Sequence, residues 1–245
     1  MEVNAVVDRA LGADVDAVLS PARQATSGLP WVARSFADAL AFGESVHGDR
    51  EAVVYGELRL TFAQLAARVR AFARGLIALG VEPGEHVALW MSDRPEWLVA
   101  RWAVPMIGAV LVPVNTRFRD NDVTYVLAQS DCTTLIMQDE ARGTRYVDIL
   151  AKVVPSCREQ PRGAWAAAAL PSLRRVVALC TASPLPEGMD AFDAIEAAGR
   201  GFLAGAGDGM DEVLRARAAS VRGGDVAQIL YTSGTTSFPK GAMVC

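Results

Sequence analysis

Between Thr61 and Met137 the chain alternates helix-type and strand-type hydrophobic patterns with short turns between them, and no other feature narrows its fold as much. Leu65, Val69, Phe72, Leu76 and Leu79 recur at steps of three and four and stop at Gly80. Thr61 followed by Gln64 opens that stretch as a capping box, so the pattern predicts an amphipathic helix. A turn over Val81–Gly84 and an apolar strand over His86–Met91 follow. Asp93 is then expected to cap a helix from Arg94, with Pro95 in its first turn, ending before Gly108. Ala109–Val114 reads as a second strand, Asp120 or Asn121 as the start of another helix, and Thr133–Met137 as a third strand. Strands that alternate with helices are predicted to lie parallel, joined by crossovers that cover both faces. The expected class is therefore α/β and doubly wound, with mostly parallel sheets and flanking helices.

Ala52–Tyr55 and Leu58–Phe62 flank Gly56-Glu57 as a small hairpin ahead of this unit. From Ser156 to about Gly224 the texture changes to many prolines, glycines and alanines around one clear strand, Arg175–Leu179. That stretch is expected to be a loosely ordered excursion, with Ala166–Ala169 as a helical turn or loop filler. Val226–Tyr231 has the pattern of a buried strand.

Composition excludes several classes. Hydrophobic residues make up 51% and charged residues 21%, ample for a buried core and far from the disordered regime. With 24 basic against 28 acidic residues the net charge is −4, and no long basic block offers a surface for nucleic-acid phosphates or anionic lipids. No nucleic-acid partner is expected. The most apolar run, Trp102–Val114, is broken by Pro105, Gly108 and Pro113, and the start of the chain lacks a signal-peptide pattern. No transmembrane segment is expected, and the default location is cytoplasmic. Cys132, Cys157, Cys180 and Cys245 form no CxxC, and the two histidines are His47 and His86. That usage suits reduced, buried structural thiols and gives a zinc site almost no support.

After the Val226–Tyr231 strand the chain reads Thr232-Ser233-Gly234-Thr235-Thr236-Ser237-Phe238-Pro239-Lys240-Gly241. These are the parts of a phosphate cradle. Gly234 lets backbone amides approach an anion, the hydroxyls of Thr232, Ser233, Thr235, Thr236 and Ser237 can donate, and Lys240 adds positive charge. The Walker A pattern fails, because Pro239 precedes the lysine and Gly241 follows it. Ala242-Met243-Val244 reads as a return strand instead of the helix a P-loop opens.

The segment Tyr231–Gly241, YTSGTTSFPKG, closely resembles the phosphate-loop signature of the AMP-forming adenylating enzymes, which include acyl-CoA synthetases, luciferases and peptide-synthetase adenylation domains. Leu60-Thr61-Phe62 with Leu65, Gly84–Leu89, Arg94–Trp97 and Gly108–Asn115 resemble the same superfamily's N-terminal region. The resemblance covers roughly residues 30–245, with a texture most like fatty-acid and medium-chain acyl-CoA synthetases. It divides the chain into an N-terminal extension, residues 1–30, and an incomplete AMP-binding domain, residues 31–245, with the small C-terminal domain absent. Ser237 stands where glycine is usual in the family.

The resemblance implies activation of a carboxylic, fatty-type acid by ATP to an acyl-adenylate, then transfer to coenzyme A. Thr232, Ser233, Gly234, Thr235, Thr236, Ser237 and Lys240 would bind the β- and γ-phosphates together with Mg²⁺; none is a general base, and no residue is assigned as a metal ligand. Only five residues follow Lys240, whereas the acyl pocket, the ribose-binding acid and the C-terminal lysine lie later in the family. The chain alone is therefore expected to be inactive, a truncated product or a piece of a longer protein. The competing expectation is a remnant that binds nucleotide weakly or serves as a protein-interaction module. Loading of an amino acid onto a carrier protein stays open as a third. An uncovered strand edge is also expected to drive self-association.

Overall fold

In the computed structural model, residues 35–182, 184–204, 209–232 and 239–245 are described. The expected N-terminal extension, residues 1–30, lies outside them. Helix α1 (Phe36–His47) precedes the antiparallel hairpin β1 (Glu51–Tyr55) and β2 (Leu58–Thr61). Helix α2 (Phe62–Ala78) then begins at the predicted capping box: the Thr61 hydroxyl accepts from the Gln64 amide at 3.2 Å, and Gln64 Oε1 accepts from the Thr61 amide at 2.9 Å. β3 (His86–Trp90), α3 (Pro95–Met106), β4 (Val110–Pro113), α4 (Asp120–Gln129) and β5 (Thr134–Gln138) follow in the predicted order. The α3 cap differs from expectation. Arg94 occupies the N-cap with no side-chain bond, and Pro95 stands inside the helix, where its missing N–H costs nothing.

A short ribbon, β6 (Glu140–Ala141) and β7 (Thr144–Arg145), leads into α5 (Tyr146–Val153), and β8 (Arg175–Leu179), β9 (Asp190–Ala191), α6 (Phe192–Ala204) and α7 (Met210–Ser220) come next. The chain ends in β10 (Gln228–Thr232) and β11 (Lys240–Val244). Seven strands form one sheet in the order β11-β10-β4-β3-β5-β8-β9. Every neighbouring pair is parallel except the antiparallel β10–β11. This is the expected doubly wound α/β architecture.

Side chains alternate across the sheet, as strand geometry requires. Val87 and Leu89, Leu111, Ile136, and Val177 and Leu179 join the core under α2, α3 and α6. Ala88 and Trp90, Val112, Leu135 and Met137, and Val176 and Ala178 join the core under α4 and α5. Both faces are covered, so the central strands read as nearly continuous apolar runs.

The stretch 156–224 corrects the sequence expectation. It carries α6 and α7 as well as β8 and β9, and it contributes buried Trp165, Leu170, Leu173, Phe192 and Leu214. Trp165 Nε1 donates to the Gly188 carbonyl at 2.7 Å. Gly199, one of the glycines that suggested looseness, instead permits close packing of α6 on α2, together with Gly75 of α2. A Cβ on Gly75 would collide with the Ile195 carbonyl, and one on Gly199 with the Ala71 carbonyl. Phe72 stacks on Phe192 with centroids 4.2 Å apart. The buried Glu196 carboxylate accepts two bonds from Arg68, at 3.0 and 2.9 Å. Ala167–Ala169 lie in a turn closed by a bridge between Ala167 and Leu170, in line with loop filler.

Two further expectations change. Of the Val226–Tyr231 run, Gln228 is buried while Val226 and Leu230 are exposed, because the strand lies near the sheet margin. Cys132 and Cys157 are buried, but Cys180 is half-buried and Cys245 exposed, all as free thiols.

Candidate functional site

The predicted phosphate-binding segment begins at the end of β10 and runs into β11, two strands that pair antiparallel. Thr232 and Lys240 are direct partners in the antiparallel register, so their side chains rise on the same face of the ribbon. A hydroxyl and an ammonium thereby stand side by side at the root of the turn. Both residues are exposed, and among the described residues Lys240 forms no ion pair. Its charge is free to meet an anion. Ser233, Gly234, Thr235, Thr236 and Ser237, the other predicted site residues, lie outside the described residues.

The hairpin is tied to the sheet from both sides. β10 pairs with β4 at Gln228 and Leu111, and the Leu111 amide donates to the Ala227 carbonyl at 2.9 Å. From α3, Arg101 Nη1 donates to Gln228 Oε1 at 2.7 Å, while the same guanidinium lies over the Phe36 and Trp97 rings at 5.8 and 5.6 Å. From α4, Gln129 Oε1 accepts a hydrogen bond from the Tyr231 hydroxyl. Burial raises the Tyr231 phenol above its ordinary range. Arg101, Gln129 and Gln228 escaped sequence reasoning, because partners separated by 127 and 102 positions leave no local signal.

At the carboxyl ends of β5 and β8, Asp139 is almost fully buried and accepts from the Thr181 amide and hydroxyl, both at 3.0 Å, and from the Ala182 amide at 2.8 Å. A carboxylate so engaged fixes the two loops. A surface concavity of 570 Å³ lined by Trp165, Ala167, Pro171 and Arg174 shares no residue with the hairpin. Among the described residues no cluster of three His, Cys, Asp or Glu could hold a metal ion, and no helix is long and apolar enough to cross a membrane.

The family model described as AMP-binding enzyme matches residues 43–245. The Bacillus subtilis (strain 168) protein named "Putative acyl-CoA synthetase YngI" is 37% identical over 198 residues, covering 80% of this chain and 34% of that protein. The Mus musculus "Medium-chain acyl-CoA ligase ACSF2, mitochondrial" is 33% identical over 196 residues, 79% of this chain and 30% of its own length. The solved structure of the anthranilate CoA ligase AuaEII with anthranoyl-AMP shares the fold at a TM-score of 0.64 and 24% identity, covering 89% of this chain and 35% of that one. The chain thus spans about a third of the length of the curated relatives it matches. A family-model match over residues 43–245, most of its length, makes the chain a member of the AMP-binding enzyme family.

Proposed function

We propose that this chain supplies the phosphate-binding part of an enzyme that activates a carboxylic acid with ATP to an acyl-adenylate and passes the acyl group to coenzyme A. The observation that carries this reading is the Thr232–Lys240 register, which places an ammonium with no ion pair among the described residues beside a hydroxyl, at the two ends of the hydroxyl-rich segment 233–239. The names of the two relatives support an acyl-CoA ligase, and a medium-chain or other fatty acid is the proposed substrate. The cytoplasm is its proposed location, and residues 31–245 are the proposed extent of its part of the AMP-binding domain.

The carboxylate oxygen of the acid attacks the α-phosphorus of ATP, and the bond to the bridging oxygen breaks to release pyrophosphate. Charge accumulates on the leaving β- and γ-phosphates. Lys240 and the turn's hydroxyls and amides bind those oxygens, holding the α-phosphate in line and stabilising the charge as it develops. Magnesium, when bound with ATP, would neutralise phosphate charge; oxygen-rich phosphates and water suit it, and none of this chain's described side chains is assigned to it. The hydroxyl-bearing turn fits such a phosphate ligand.

Residues 1–245 alone bind nucleotide without completing the reaction, since the resemblance assigns the acid pocket and C-terminal domain to later sequence. Two measurements test the proposal. Isothermal titration of the 245-residue chain with ATP is expected to show binding that weakens at least tenfold in Lys240→Ala; a folded chain that binds no ATP at millimolar concentration overturns the site. Carboxylate-dependent exchange of pyrophosphate into ATP is expected to be absent from this chain. It should appear in a chimera with residues 43–245 grafted onto the rest of the Bacillus relative. Exchange by the 245-residue chain itself, lost in Lys240→Ala, would overturn the need for the later sequence.

A further inference from the structure

We infer that Arg101 and Gln129 are positioning residues for the nucleotide's phosphates: from helices on opposite faces of the sheet they aim β10, and through it Thr232 and Lys240. The inference rests on the phosphate-binding reading of that pair. The backbone alone sets the aim loosely. β3 and β4 pair over four successive residues, His86–Leu89 with Val110–Pro113, whereas β10 meets β4 in register at one position, Gln228 with Leu111. Thr232 lies at the far end of β10, ~13 Å from Gln228 at the ~3.3 Å rise of a strand. Over that reach a tilt of about 10° carries the Thr232–Lys240 pair by about 2 Å, well beyond the ~0.5 Å within which a binding group must be held.

Two side-chain ties supply the direction that the ladder does not. By the two-residue period of a strand, Gln228 and Thr232 share one face of β10, and Ile229 and Tyr231 the other. On the first face, Arg101 Nη1 of α3 donates to Gln228 Oε1 at 2.7 Å, at the base of the strand. That guanidinium is itself held in place. The ring centroids of Phe36 and Trp97 lie 5.8 and 5.6 Å from its Cζ, the range of a cation–π contact, and Phe36 packs edge-on against Trp102 at 5.3 Å. On the second face, the Tyr231 hydroxyl, one residue before Thr232, donates to Gln129 Oε1 of α4. Ile229 and Tyr231 pack against the core on that side. Apolar packing is non-directional, whereas a hydrogen bond fixes distance and angle. One tie at the base and one at the tip, on opposite faces, therefore oppose both tilt and rotation of the strand.

The test is isothermal titration of ATP into the 245-residue chain and its variants, each beside a thermal melt. Gln228→Leu removes the base tie without changing charge. Gln129→Ala removes the tip tie at an exposed position, where folding is not at stake. Each is expected to weaken ATP binding by about tenfold, inside the hundredfold that ~1 Å of misplacement can cost. Arg101→Met, Gln228→Leu and the double variant are expected to show the same loss, since all three remove one bond. Four outcomes overturn the inference. If Gln228→Leu and Gln129→Ala bind ATP like the parent while Lys240→Ala binds weakly, the ties do not aim the site, and the phosphate-binding reading stands. If Arg101→Met weakens binding and Gln228→Leu does not, Arg101 acts through its charge and not through β10. A loss that only tracks the unfolded fraction at the titration temperature makes both residues structural. A folded parent that binds no ATP removes the phosphate-binding reading, and the inference with it.

Discussion

Thr232 and Lys240 face each other across the β10–β11 pair, so the hydroxyl and the ammonium that bracket residues 233–239 are fixed on one side of one ribbon. Function and stability separate at this point. Lys240 is exposed and pairs with no described carboxylate, so Lys240→Ala is expected to leave the melting temperature within about 1 °C of the parent. A charge-assisted hydrogen bond to phosphate is worth roughly 1.5–3 kcal/mol, so the same change is expected to weaken ATP binding by about 10- to 100-fold. Calorimetric melting beside ATP titration checks both halves. A variant that melts early and binds ATP like its parent would make Lys240 a structural residue.

Close approach of α2 and α6 rests on Gly75 and Gly199, where an added methyl would meet the Ile195 and Ala71 carbonyls. Gly199→Ala forces the helices apart and is expected to cost about 2 kcal/mol, a drop of roughly 5 °C in melting temperature. Gly201→Ala, two residues along the same helix, meets nothing within 4 Å and is expected to be neutral or slightly stabilising through helix propensity. Equal effects at the two positions, read by urea unfolding, would show that packing at Gly199 is not tight.

These glycines also show why part of the fold was hidden in the sequence. The elements from β1 to β5 follow local rules: a capping box at Thr61 and Gln64, periodic apolar positions, and a Gly56-Glu57 turn between two strand patterns. α6 is built by pairs far apart in sequence, such as Arg68 with Glu196 at a separation of 128 positions, and its glycines carry no mark that distinguishes close packing from looseness. β10 was read as buried because its run is apolar, yet burial depends on what lies beside a strand, and β10 has only the exposed β11 on its outer side. The candidate site was legible through its motif, since hydroxyls, glycine and lysine in that order state their chemistry without a partner. Its anchoring by Arg101 and Gln129 was not, because each tie joins separate helices to the ribbon.

The four cysteines are expected to separate by reactivity. Cys245 is exposed, and Cys180 half-buried. Burial pushes the Cys132 thiol up to about 12 and raises those of Cys157 and Cys180. The thiolate is the reactive species, so access and ionisation act together. At about pH 8, a thiol reagent such as DTNB is expected to label Cys245 rapidly and Cys180 more slowly. Cys132 and Cys157 should react only on unfolding. Rapid labelling of Cys132 in the folded chain, identified by peptide mapping, would contradict the packing between α4 and β5.

The tie between α1 and α2 predicts a pH signature. Glu44 accepts two bonds from the Arg70 guanidinium, both 2.7 Å, and that hydrogen bonding holds its carboxyl below the ordinary value of 4.5 against the opposing effect of burial. A carboxyl depressed in the folded state stabilises the fold at pH above its ordinary value, and that contribution is lost as pH falls through the folded value. Both side chains remain about a third exposed, so the pair is worth at most about 1 kcal/mol. Glu44→Gln keeps the shape and removes the charge. Urea midpoints of parent and variant are expected to differ steadily from about pH 7 to pH 5 and to converge below about pH 4.5. A gap that widens on acidification would mean that the carboxylate is held at a net cost and that α1 is seated by Leu40 and the Phe36–Trp102 contact instead.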